Sequence, residues 1–115
     1  MRAIDAIRAG VASCLCSDYQ PSTLIAAAFA VAAQTDLTWP QAIALVTANP
    51  ADACGLADRG RIAVGQRADL VAVAQVGGMP LISHTWSAGR LVFSTHYLPA
   101  REPVAALRDV QRVAA

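Results

Sequence analysis

The sequence predicts an α/β chain in two parts, a helical βα unit followed by antiparallel strands. Two observations carry this. Residues 3–33 run helix, apolar strand, polar loop, helix, the order of a parallel α/β unit. After Gly55 the pattern changes to short strand-like runs divided by glycine turns, which indicates an antiparallel element. The composition adds that the unit packs against something else. At 115 residues the chain is 56% apolar and 15% charged, against about 45–50% and about 25% for an ordinary soluble domain.

Residues 3–9 read as a short helix that stops at Gly10, a residue suited to a left-handed cap. Val11 to Cys16 is an uncharged apolar run, expected as a strand buried on both faces. It ends at Ser17-Asp18-Tyr19-Gln20-Pro21, where Pro21 and Ser22 open an alanine-rich helix over 23–33. Thr38 is a good N-cap for a helix reaching about Ala48, with Trp39 and Pro40 in its first turn. Asn49-Pro50 reads as an N-cap and first-turn proline for a short helix to Cys54, closed by Gly55. Residues 60–73 then hold two strand-like arms about a turn at Gly65. Leu81–Thr85 and Arg90–Ser94 form another pair around Ser87-Ala88-Gly89. In the tail, Val104, Leu107, Val110 and Val113 fall at helical spacing. The expected division is 1–54, the last strand and its helices; 55–99, the small β-domain; and 100–115, a C-terminal helix.

Several function classes are excluded or disfavoured. The net charge is +1 and all nine basic residues are scattered arginines, so no basic stripe follows a nucleic-acid backbone. The longest uncharged stretch, Leu70 to Gly89, contains Gly77, Gly78, Pro80 and His84 and is not a membrane span. Asp5 and Arg8 interrupt the N-terminus too early for a signal peptide. Cys14, Cys16 and Cys54 are odd in number with no C-x-x-C pair, and are expected as reduced, buried thiols of a cytoplasmic protein.

Asp18 is the leading candidate for chemistry. It directly follows an apolar strand, and the C-terminal strand edge is where parallel α/β proteins bind ligands and metals. A carboxylate there holds a metal or accepts a proton from water; the alternative is that Asp18 merely starts a turn or caps the next helix. Tyr19 and Ser22 line the approach to that helix, whose free N–H groups would attract phosphate, with ordinary capping as the alternative. His84 and His96 are twelve apart, outside any H-x-H or Cys/His motif, and are read as solvent-facing or packing residues.

Val46-Thr47-Ala48-Asn49-Pro50-Ala51, Gly55-Leu56 and Arg59-Gly60-Arg61-Ile62-Ala63-Val64-Gly65-Gln66-Arg67-Ala68-Asp69-Leu70-Val71 together resemble the C-terminal pattern of the amidohydrolase superfamily. Trp86 to Val92 resembles its closing hairpin. The block Ser17-Asp18-Tyr19-Gln20-Pro21-Ser22-Thr23-Leu24 is similar to that of a branch that acts as diphosphatases on alpha-D-ribose 1-methylphosphonate 5-triphosphate.

The resemblance implies a (β/α)8 metal-dependent hydrolase barrel, of which this chain is the C-terminal βα portion plus strands of the small β-domain. It also implies Asp18 as catalytic residue and metal ligand, Tyr19 and Ser22 as substrate-binding residues, and a divalent metal ion, zinc or similar, in the complete enzyme. The partners implied are a small phosphorylated substrate and the remainder of the barrel, or a second copy of the chain, with neither nucleic acid nor membrane. The first-strand H-x-H and the other metal histidines of the superfamily have no counterpart here. The chain is therefore expected to be an incomplete, inactive portion, with Met1 an internal or artificial start. Two other functions stand beside this: another amidohydrolase branch acting on C–N bonds, and a non-catalytic binding or oligomerisation module.

Overall fold

A computed structural model describes residues 2–96. The expected C-terminal helix over 100–115 lies outside the described residues. The order is α1 (Ala3–Arg8), a 3-10 turn (Pro21–Thr23), α2 (Leu24–Gln34), α3 (Trp39–Ala44), α4 (Ala48–Ala53), β1 (Leu70–Val76), β2 (Met79–Ser87) and β3 (Arg90–Ser94). The chain is thus a mixed helical and three-stranded antiparallel structure, with strand order β1-β2-β3.

The helical half is built around small side chains. Ile7, Val31, Ala42 and Leu45 form the buried cluster, with Ala12, Leu15, Ala32 and Leu37 packed on it. Ala28 and Ala42 have no exposed surface, so α2 and α3 approach closely. Phe29 and Trp39 meet edge to face across this contact, ring centres 4.8 Å apart, a favoured aromatic geometry. Arg8 donates to the Gln34 carbonyl at 2.6 Å, placing a cation at the C-terminal end of α2, where the helix dipole favours it.

Helix ends follow the sequence in most cases. After α1, Gly10 N–H reaches the Ile7 carbonyl and Val11 N–H the Ala6 carbonyl. After α4, Gly55 and Leu56 repeat the pair onto Asp52 and Ala51. Both are Schellman caps. At the start of α3, the Gln41 side-chain oxygen accepts from the Thr38 N–H at 2.8 Å.

Several expectations are corrected. Val11–Cys16 is not a strand: no strand pairs with it among the described residues, and Val11 is 74% exposed. An apolar run becomes a buried strand only when neighbours supply the ladder and both covering faces. Cys14, Cys16 and Cys54 are exposed thiols, Cys14 and Cys16 because that segment is uncovered. The helix from Thr38 ends at Ala44, and α4 starts at Ala48, so Asn49 is not a cap. Its amide instead donates to the Ser13 carbonyl at 2.7 Å. The arm before Gly65 is likewise not a strand, and Ile62 and Val64 stand almost fully exposed.

The sheet has two tight turns with paired positive φ, Gly77-Gly78 and Ala88-Gly89, as two-residue hairpins require. Ser83 is an extra residue in β2, since Ala72 pairs with His84 and Val73 with Ile82. A second bulge places Val92 between the Thr85–Phe93 and Trp86–Leu91 pairs. Pro40 and Ala44 of α3, Gly60, and Leu70, Val71 and Trp86 of the sheet line an apolar cleft of about 580 Å³.

Candidate active-site loop and the clamp behind it

Residues 11–17 run without helix or strand from α1 toward the Asp18 loop, and two bonds fix their course. Leu15 N–H donates to the Leu45 carbonyl at 2.9 Å, and Asn49 binds the Ser13 carbonyl. Both partners lie at the α3–α4 junction. The segment is therefore strapped to the helical core by its backbone, leaving the following loop free to project.

That loop is a turn in which Gln20 N–H closes onto the Ser17 carbonyl at 3.0 Å. Asp18 sits within it at φ +54, a left-handed backbone. Among the described residues only Ala88, in a hairpin turn, is another non-glycine with positive φ. Aspartate is among the few residues other than glycine that visit this region. Such positions concentrate at functional sites. The Asp18 carboxylate is exposed and accepts no hydrogen bond from the described residues, so its lone pairs are available to a proton or a ligand.

Tyr19 is 89% exposed, and Ser22 is exposed in the 3-10 turn. Asp18, Tyr19 and Ser22 thus lie on one loop that opens to solvent. The anion-attracting end expected for the next helix is reduced. Pro21 has no N–H, and Thr23 spends its N–H and its hydroxyl on the Gln20 carbonyl, at 3.1 and 2.8 Å.

A divalent ion, implied by the resemblance, does not fit this loop alone. Catalytic metal centres use about three protein ligands, and no group of three or more His, Cys, Asp or Glu converges among the described residues. Asp18 is one donor.

The glycine-rich motif has a different task. Asp69 accepts from the Ala88 N–H at 2.8 Å and from Arg67 at 2.9 Å. Arg67 also reaches the Ser87 hydroxyl at 3.2 Å, and Gly89 N–H donates to the Ala68 carbonyl at 2.9 Å. The Asp69 carboxyl is held below its ordinary pKa, chiefly by the Ala88 N–H and further by Arg67, against the opposing effect of burial. Arg59 pairs with Asp58 at 2.8 Å, and Arg61 pairs with Asp52 on α4. Asp69 and Arg67 tie the 58–69 loop to the β2–β3 turn, and Arg61 ties it to α4. The sequence showed the motif, but nothing in its spacing assigned Asp69 to the hairpin backbone. A distant N–H partner leaves no local trace.

No helix among the described residues is long and apolar enough to cross a membrane. Comparisons with known proteins agree with the motif. The chain is 46% identical over 86 residues to alpha-D-ribose 1-methylphosphonate 5-triphosphate diphosphatase of Escherichia coli (strain K12), an alignment covering 73% of this chain and 23% of that protein. The chain therefore spans under a quarter of that relative's length. No solved structure matches it. The profile of the amidohydrolase family matches residues 1–93, and the chain belongs to that family.

Proposed function

We propose that this chain supplies the Asp18 loop and the small β-domain of a hydrolase that cleaves alpha-D-ribose 1-methylphosphonate 5-triphosphate to the 5-phosphate and pyrophosphate. Family membership and the 46% identical relative support hydrolysis and phosphonate metabolism. The observation that carries the choice of residue is the left-handed Asp18 at the end of a segment strapped to the core.

In this reading the attacking water loses its proton to the Asp18 carboxylate as its oxygen bonds to the phosphorus. The phosphoanhydride bond breaks and pyrophosphate leaves. Tyr19 and Ser22 flank Asp18 and meet the substrate. The other catalytic groups come from the remainder of a (β/α)8 barrel, which would also cover Val11, Cys14 and Cys16. By itself the chain holds the carboxylate without the rest of the site, and is inactive.

The experiment is a chimaera in which this chain replaces the matching segment of the Escherichia coli relative. Pyrophosphate release from the 5-triphosphate is expected from the chimaera and not from the isolated chain. Turnover of a cyclic amide, with none of the triphosphate, would overturn the assignment in favour of a C–N-cleaving branch.

A further inference from the structure

The small sheet brings together the two histidines of the described chain. His84 pairs with Ser94 across β2 and β3, so His96 lies two residues beyond its partner, at the diagonal position. Their ring centres are 6.4 Å apart and nearly perpendicular, at 87°. Three features fix the His84 ring. Its ring stacks on Trp86, centres 5.6 Å apart and planes 16° from parallel. Its Nδ1 lies 3.1 Å from the Ser83 hydroxyl, and that hydroxyl donates its one proton to the Ala72 carbonyl at 3.2 Å. With that proton on the Ala72 carbonyl, the Ser83 oxygen accepts from Nδ1–H of His84, the tautomer in which Nε2 presents a lone pair. Ser83 is also the bulge residue of β2, and bulges re-aim the side chains beside them.

We propose that His84 and His96 form a two-histidine site for a divalent transition-metal ion, with water in the remaining positions. A metal about 2.0–2.1 Å from a ring nitrogen lies about 3 Å from the ring centre, so two rings share one ion at about 6 Å when the nitrogens are trans and at about 5 Å at a tetrahedral angle. The observed spacing of 6.4 Å suits the trans arrangement, and an inward rotation of His96, which is exposed, by about 1 Å brings the pair to the tetrahedral one. Imidazole ligands suit nickel, copper and zinc, and not magnesium. The Ser83 hydroxyl plays the outer-shell part common to metal-bound histidines, fixing tautomer and ring orientation. This site does not depend on the Asp18 reading.

Trp86 makes the test direct, because an ion on His84 sits beside the stacked indole. In the full chain, with Trp39→Phe to leave Trp86 as the emitter and Cys14→Ser, Cys16→Ser and Cys54→Ser to remove exposed thiols, Ni²⁺ is titrated near neutral pH. Saturable quenching of Trp86 emission is expected, with no effect of Mg²⁺. His96→Ala and His84→Gln are each expected to raise the quenching midpoint by more than about tenfold, and Ser83→Ala to raise it with both ligands still present. Quenching that does not saturate, or a midpoint unchanged by His96→Ala, overturns the proposal.

Discussion

Gly60 is where the motif loop bears on the helical half, and Gly60→Ala measures that contact. Its φ is +89, and an added Cβ would stand 2.7 Å from the Ala51 Cβ, 3.0 Å from the Thr47 carbonyl and 3.3 Å from the Ala48 Cα. Ala51 is 6% exposed, and the other two contacts are backbone, so none can swing away. The left-handed backbone costs an L-residue about 1–2 kcal/mol, and overpacking adds about 1–3 kcal/mol. The expected loss is about 2–5 kcal/mol. Gly65→Ala is the control, since its φ is +86 and nothing lies within 4 Å of the added methyl. It carries only the backbone cost, about 1–2 kcal/mol. The two variants also gain equally from restricting the unfolded chain, so that contribution cancels. Urea unfolding followed by far-ultraviolet circular dichroism compares them. At a slope of about 1–3 kcal/mol per molar urea, Gly60→Ala should unfold at roughly 1 M less denaturant than Gly65→Ala. Equal midpoints would refute the packing of this loop on α4.

Three further outcomes follow from the packing, the charges and the Asp18 backbone. Ala42→Leu should destabilise by about 1–3 kcal/mol because its site is full, while Ala33→Leu on the exposed face of α2 changes stability by under about 0.5 kcal/mol. Asp69 is held below its ordinary value of 3.8, so its contribution to stability is present above that value and fades as pH falls through the lower folded one. Unfolding midpoints measured down from neutral pH should therefore drop below about pH 4, and Asp69→Asn should flatten that drop. Asp18→Gly should leave the unfolding midpoint unchanged or raised, because glycine accepts φ +54 freely.

Local signals were legible and long-range ones were not. Gly10 and Gly55 mark helix ends because the caps they make are closed within a few residues. The β2–β3 hairpin is written in Ala88-Gly89 for the same reason. Val11–Cys16 misleads because an apolar run becomes a strand only where other strands pair with it, and none does among the described residues. Asn49 misleads too: its cap-like position before Pro50 conceals a side chain bonded to Ser13, 36 positions away. Asp18 was visible as a carboxylate after an apolar run, whereas its left-handed backbone was not. The His84–His96 pair was within reach of hairpin arithmetic. A turn centred on Ala88-Gly89 places residues near 84 and 94 opposite each other, and reading the histidines twelve apart along the chain overlooks that fold-back.

Asp18→Asn in the chimaera with the Escherichia coli relative tests whether Asp18 accepts the proton of the attacking water. The amide keeps the size and shape of the side chain but cannot take up the proton. A positioned general base contributes about 10²–10⁴-fold to rate, so pyrophosphate release should fall by at least about 100-fold, with the unfolding midpoint unchanged. Turnover within a few-fold of the parent chimaera would contradict the assignment and leave Asp18 a turn residue.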